Sequence, residues 1–312
     1  MRKVIFDTDP GQDDAVAILA ALGSPGEIDV LGIVAVAGNI PLHHTANNAL
    51  RLVELADRDD IPVFAGADRP FTRRLVTAEH VHGATGLDGP DLPQPSARLR
   101  EGHGVDFIID TVRRNPEKSV TIAALGPLTN VALAILKAPD IAERLEAIVM
   151  MGGAYFEVGN ITPAAEFNIY VDPEAAAVVF ASGADITMLP LDVTHGMRAT
   201  PSRIDAFRRI GNKAGAAVTA MLTFSETYDL QKFGWDGAPL HDPCVTAFLL
   251  RPDLFESRHI NVEIETASAL TRGMTVADYW GVTDRAKNAV FVRSGDADAV
   301  FALLAERVAR LP

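Results

Sequence analysis

Val4-Ile5-Phe6-Asp7-Thr8-Asp9-Pro10-Gly11-Gln12-Asp13-Asp14-Ala15-Val16 holds the first change of period in the chain. A short apolar run stops abruptly at Asp7. Pro10 has no amide donor and Gly11 tolerates positive φ, so together they break the extended segment. Apolar spacing resumes at helical period with Ala15, Val16, Ile18 and Leu19. The pattern predicts strand, turn and helix, the first half of a βαβ unit. Four aspartates fall within eight residues here, at the carboxyl end of a predicted parallel strand, where open α/β sheets place their ligands. Clustered carboxylates repel unless protons or a cation intervene, and hard oxygen donors suit Ca²⁺ or Mg²⁺. The alternative is that Asp13 and Asp14 only complement a helix dipole.

The pattern repeats outward from this unit. Asp29 to Ala37 is a near-continuous apolar run, as expected of a strand buried on both faces, and it ends in Gly38-Asn39. Thr45 to Ala56 has helical spacing and Ile61 to Ala65 is a short third strand. From Gly66 to Gly104 periodicity fades into a long loop with His80 and His82, a length that marks a functional or mobile segment. Val105 to Arg114 reads as helix and Ser119 to Leu125 as a buried strand, with Pro127 expected at the first position of the next helix. Ala147 to Met151 is a fifth strand. Asp172-Pro173 opens a helix with Asp as N-cap, and Ile186 to Pro190 is a sixth strand. Pro201 to Leu230 looks mostly helical, and a helix starts at His241-Asp242-Pro243 and runs through Leu250. His259 to Glu265 alternates as a half-exposed strand, Asn288 to Val292 lies beside it, and Asp296 to Arg310 closes the chain as a helix. Five strand–helix alternations in a row predict an α/β fold: an open, mostly parallel, doubly wound, Rossmann-like sheet with flanking helices. No Gly-, Ser- or Pro-rich linker divides the chain, so one domain over residues 1–312 is expected.

Composition narrows the function. The chain of 312 residues is 48% hydrophobic and 22% charged, enough to bury a sizeable core. A net charge of −13 argues against nucleic acid or an anionic membrane as partner, not against a small neutral ligand. The single cysteine, Cys244, excludes an intrachain disulfide and fits a reducing compartment. No signal peptide or membrane-length apolar stretch is present, so a cytoplasmic protein is expected.

The polar residues at strand ends form one set, because in a parallel sheet those ends share a rim. The Asp7–Asp14 stretch resembles the signature of the inosine–uridine preferring nucleoside hydrolases. So do His82-Gly83-Ala84-Thr85-Gly86-Leu87-Asp88-Gly89, Met151-Gly152-Gly153-Ala154, the segment from Asn160 through Glu166 to Asn168, and His241-Asp242-Pro243. Ala84-Thr85 departs from the family, which more often has an acidic residue and a serine there. The resemblance implies one Ca²⁺ held by Asp9, Asp14, Asp242 and the main-chain carbonyl of Leu125. It implies ribose recognition by Asp13, Asn39, Asn160, Glu166, Asn168 and Asp242, with a loop-stabilising Asx turn as the alternative for Asn160 or Asn168. It also implies Asp9 as the base that takes a proton from a metal-activated water, and His241 as the acid that protonates the leaving base. His82 would touch the nucleobase or merely pack its loop. Tyr228 and Trp235 flank the base pocket as stacking partners or as core. The expected activity is hydrolysis of a ribonucleoside's N-glycosidic bond by a homodimer or homotetramer. An aspartate-nucleophile phosphatase is a weaker alternative, since Gly11 stands where that family has Thr or Val. A non-catalytic nucleoside-binding protein is another.

Overall fold

The computed structural model describes residues 1–312, apart from the side chains of 226–233. Eleven strands alternate with thirteen helices: β1 Arg2–Thr8, α1 Gln12–Leu22, β2 Ile28–Ala35, α2 Leu42–Leu55, β3 Val63–Ala65, α3 Glu79–His82, α4 Gly104–Arg114, β4 Val120–Ala124, α5 Thr129–Lys137, α6 Asp140–Arg144, β5 Ala147–Met151, α7 Phe167–Val171, α8 Pro173–Phe180, β6 Ile186–Leu189, α9 Leu191–Thr194, β7 Arg198–Ala199, α10 Pro201–Arg208, α11 Lys213–Phe233, β8 Ala238–Pro239, α12 Pro243–Leu250, β9 Phe255–Ile264, β10 Thr275–Asp278, β11 Ala289–Gly295 and α13 Ala297–Val308.

Nine strands make one sheet in the order β10-β9-β11-β6-β5-β4-β1-β2-β3. From β3 to β11 all neighbours run parallel; β9 is antiparallel to both β11 and β10. The chain winds from β1 outward through β2 to β3, then returns to the other side of β1 with β4. The strand order therefore reverses between β1 and β4, which opens a crevice at their carboxyl ends. Side chains alternate across β1: Val4 and Phe6 join the core under α1, α12 and α13, while Ile5 joins the core under α4, α5 and α8. Both faces are covered, so strands such as β4 are buried at every residue and read as continuous apolar runs. This is the doubly wound α/β fold expected from the alternation.

Several boundaries differ from expectation. Pro127 is not the first helical residue; α5 begins at Thr129, because residues 125–128 stay irregular to turn the chain over the rim. The predicted helix over 201–230 is two helices, parted at Gly211, whose φ of 78° suits glycine. β9 starts four residues before His259 and buries Ile260, Asn261 and Val262 consecutively, since Asn261 Nδ2 finds the carbonyl of Ala286 at 2.8 Å. β10 and the small β7–β8 ribbon carry too little apolar pattern to be anticipated. Within the 66–104 loop α3 is the sole helix. No helix among the described residues is long and apolar enough to cross a membrane.

Candidate active site

Asp9 lies one residue beyond β1, at the floor of the crevice. Its Oδ2 accepts the backbone N–H of Asn39 at 2.6 Å. Two glycines admit the carboxylate: a Cβ on Gly38 would stand 2.0 Å from Asp9 Oδ2, and one on Gly126 would stand 2.3 Å from Oδ1. Asp9 Oδ1 is buried and has no hydrogen-bond partner among the described residues. Asn39 clamps the floor, its Nδ2 donating to the Asp9 carbonyl at 3.2 Å and to Asp14 Oδ2 at 3.3 Å. Asp14 also accepts from Thr8 Oγ1 and, at 3.0 Å, from the N–H of Gly11, which secures the start of α1.

Asp242, just ahead of α12, arrives from the far end of the sequence. Asp13, Asp14 and Asp242 each present an oxygen within 4.8 Å of the others. Asp9 adjoins this trio and raises the carboxyl of Asp242 by its charge. Burial pushes Asp9 and Asp242 well above the usual carboxylate range, and neighbouring carboxylates push the same way. Asp14 is pushed up to about 6, by burial first and then by the charge of Asp13. A buried group of like charges with an unmet oxygen is out of balance on its own. A divalent cation would restore that balance, and an all-oxygen donor set fits one such as Ca²⁺ or Mg²⁺. Asp7, by contrast, is buried on the face of β1 that Ile5 shares, beside Asn130 of α5; burial raises it to about 8, and it contributes nothing to the cavity wall.

Glu166 and Asn168 shape the next part of the rim. Glu166 caps α7, accepting the N–H groups of Asn168 (2.9 Å) and Ile169 (3.2 Å), and also that of Gly153 at 2.9 Å. Burial outweighs these donors and lifts its carboxyl to about 7. Asn168 Nδ2 donates to the carbonyls of Leu125 at 2.7 Å and Met151 at 3.2 Å. The Leu125 carbonyl keeps a second lone pair. Asn160 Oδ1 accepts the N–H of Phe167 at 2.9 Å, so this asparagine does perform the loop-holding role considered for it.

These groups surround one cavity of about 1040 Å³, open solvent included. Asp13, Asn39, Leu125, Glu166, Asn168 and Asp242 lie toward its floor. His82, Asn160, Trp235 and His241 also line it. Asp9 and Asp14 sit beneath, fully buried. The Tyr228 side chain lies outside the described residues. The long loop contributes Ala78, His80, Val81 and His82 to the wall. His82 Nδ1 is 2.7 Å from Gln12 Oε1, and Gln12 Nε2 donates to the carbonyls of His82 (3.0 Å) and Asp88 (3.1 Å), tying the loop to α1. His241 Nδ1 meets Thr194 Oγ1 at 2.7 Å; burial pushes the imidazole down to about 4, against an opposing pull from Asp13.

The sequence assigned no role to Gly38, Gly126, Gln12 or Thr194. The two glycines had a signal, since each follows an apolar strand. Gln12 and Thr194 had none, because their partners are 70 and 47 residues away.

The sequence pattern of the family described as inosine-uridine preferring nucleoside hydrolase matches residues 4–302. An uncharacterized protein of Schizosaccharomyces pombe is 52% identical over 310 residues, covering 99% of this chain and 100% of its own length. The pyrimidine-specific ribonucleoside hydrolase RihA of Citrobacter koseri is 47% identical over 307 residues, covering 98% and 97%. Among solved structures, a purine-preferring ribonucleoside hydrolase from Gardnerella vaginalis superposes with a TM-score of 0.92 at 32% identity, covering 99% of this chain and 98% of that one. With this fold, an acidic floor under an open cavity and relatives matched end to end, the chain belongs to the inosine–uridine preferring nucleoside hydrolase family and is a ribonucleoside hydrolase.

Proposed function

We propose that the protein hydrolyses the N-glycosidic bond of ribonucleosides in a Ca²⁺-dependent reaction that yields ribose and a free purine or pyrimidine base. The observation behind this is Asp9 Oδ1, a buried oxygen with no donor beside three further carboxylates. Asp9, Asp14, Asp242 and the Leu125 carbonyl would hold the ion. When bound, Ca²⁺ supplies a Lewis acid that orients the sugar's vicinal hydroxyls and makes a water more acidic.

The remaining steps belong to the chain. Asp9 takes a proton from the attacking water. Asp13, Asn39, Asn160, Glu166 and Asn168 bond the sugar hydroxyls, each of which can donate and accept. Carboxylates around the sugar favour the positive charge that grows on the anomeric carbon as the bond to the base lengthens. His241 gives a proton to the departing base. Thr194 holds its Nδ1, which leaves Nε2 for the base. Burial keeps the proton loosely held, so little imidazolium is present near neutral pH but what is present transfers readily. His82 closes the nucleobase end with the loop that α1 anchors.

The same reading makes the enzyme one domain over residues 1–312, acting as a cytoplasmic homodimer or homotetramer. The relatives named above differ in base preference, so the test uses a panel. Uridine, cytidine, inosine and adenosine are assayed for released reducing sugar before chelation, after it, and after Ca²⁺ is restored. Release that stops on chelation and returns with Ca²⁺ is expected. Undiminished release from exhaustively chelated enzyme would sink the metal assignment. 2′-Deoxynucleosides should be poorer substrates by ~10⁴-fold, because the groups that bond the missing hydroxyl are left unpaired.

A further inference from the structure

We propose that His195, held by Glu157, is a second residue that hands a proton to the leaving nucleobase. This rests on the ribonucleoside-hydrolase reading and adds a catalytic residue to it. His195 follows α9 directly and lines the same cavity as His241 and Trp235. Its ring stands 6.0 Å from that of His241, centroid to centroid, and meets Trp235 edge-on at 4.9 Å. His195 Nδ1 lies 3.1 Å from Glu157 Oε2. An ionised carboxylate only accepts, so Nδ1 carries a proton and Nε2 is the atom left for a ligand.

The Glu157 side chain is partly exposed, but the loop that carries it is fixed. Glu157 sits on the loop after β5, and α9 pins that loop through Asp192. The buried Asp192 carboxylate accepts the backbone N–H groups of Tyr155 at 3.0 Å, Phe156 at 2.7 Å and Glu157 at 3.3 Å. Arg293 reinforces the anchor, 3.4 Å from Asp192 and with its guanidinium 4.1 Å over the Phe156 ring. One short segment thus sets both imidazoles: Thr194 orients His241, and the next residue is His195 itself. The His195–Glu157 arrangement follows the pattern in which a carboxylate orients an imidazole for proton transfer.

The step balances. The C1′–N bond breaks with its electron pair passing to the base. The imidazolium of His195 transfers its Nε2 proton to that base and keeps the Nδ1 proton bonded to Glu157. Hydroxide from the attacking water bonds to C1′, and the water's other proton goes to Asp9. Asp9 then releases its proton to solvent and His195 regains one, which restores both groups. Two donors at one end of the cavity can serve different acceptor atoms of the base. Glu157, which acts through the imidazole, is a positioning residue.

The test compares His195→Ala, Glu157→Gln and Glu157→Asp with wild-type enzyme on uridine, inosine and 4-nitrophenyl riboside, whose leaving group needs no proton. His195→Ala should lower kcat on at least one nucleoside by ~10²-fold, and lower it less than tenfold on the nitrophenyl substrate. Glu157→Gln should show the same selectivity at smaller size, and Glu157→Asp should recover most of the loss. Equal losses on all three substrates would mean the pair only ties a loop to α9, and would overturn the proposal; so would full activity of His195→Ala on both nucleosides. Wild-type enzyme that releases no sugar from any ribonucleoside would overturn the functional reading, and this inference with it.

Discussion

At the scale of single residues, Asp7 and Asp9 show how much a neighbour decides. Both follow an apolar run and both are fully buried, yet Asp9 lies at the floor of the crevice and Asp7 lies beside Asn130 under α5. Asp9→Asn keeps size and loses charge, so kcat/KM should fall by ~10²–10⁴-fold and Ca²⁺ binding by calorimetry should weaken, with the far-ultraviolet dichroism unchanged. A near-normal rate would remove Asp9 as the base. His241 gives a prediction with a definite sign. Its imidazole moves from an unfolded value of 6.5 down to about 4 in the fold. The folded state thus resists the proton. No cost appears above pH 6.5; a cost grows as pH falls toward 4, reaching about 3 kcal/mol at the extreme. Replacing His241 with Asn should flatten this part of the stability profile in urea melts at pH 4 to 7. The two aspartates were visible in the sequence, but their different fates were not, because nothing local distinguishes a carboxylate facing a crevice from one facing a core.

At the scale of elements, turns matter more than the strands they follow. Gly38 and Gly126 lie just beyond β2 and β4 and press on Asp9 from two sides. Gly38→Ala places a methyl group where Asp9 Oδ2 sits; we expect a loss of about 1–3 kcal/mol in stability and more than tenfold in kcat. Unchanged kinetics would show that the carboxylate can shift without consequence. Glu166→Gln replaces one of the two accepting oxygens with a donating amide group, so at least one of the three backbone N–H groups loses its acceptor. Stability should fall by about 1–3 kcal/mol in denaturant titrations, with affinity for ribose reduced. The strands and most helices were legible because their apolar period is strong over five residues or more. The gaps have reasons. α10 and α11 read as one continuous helical stretch across Gly211, β10 spans four residues, and Pro127 belongs to the irregular turn before α5.

At the scale of the whole molecule, the acidic floor couples metal, protons and folding. Its carboxyls are raised by burial and mutual repulsion, so Ca²⁺ must displace protons to bind. Affinity should therefore rise with pH through about 6, where Asp14 loses its proton. Calorimetry in buffers of different ionisation enthalpy would read the protons released. Binding only the folded state, Ca²⁺ at a hundredfold its Kd adds about 2.7 kcal/mol, a Tm rise of ~4 °C for a chain of this length. A melting temperature indifferent to Ca²⁺ would argue against a site in the folded chain.

The sequence by itself determined the α/β winding, the family resemblance and the acidic, amide and imidazole residues at successive strand ends, because period and turn chemistry are local properties. Only the tertiary structure decided which of those residues meet. Asp242 reaches Asp14 across more than two hundred residues, Thr194 reaches His241, and Glu157 reaches His195. Those meetings depend on the lateral order of the strands, with β1 set between β2 and β4. That order comes from side-by-side pairing and from burial on both sheet faces, which no short stretch of chain encodes.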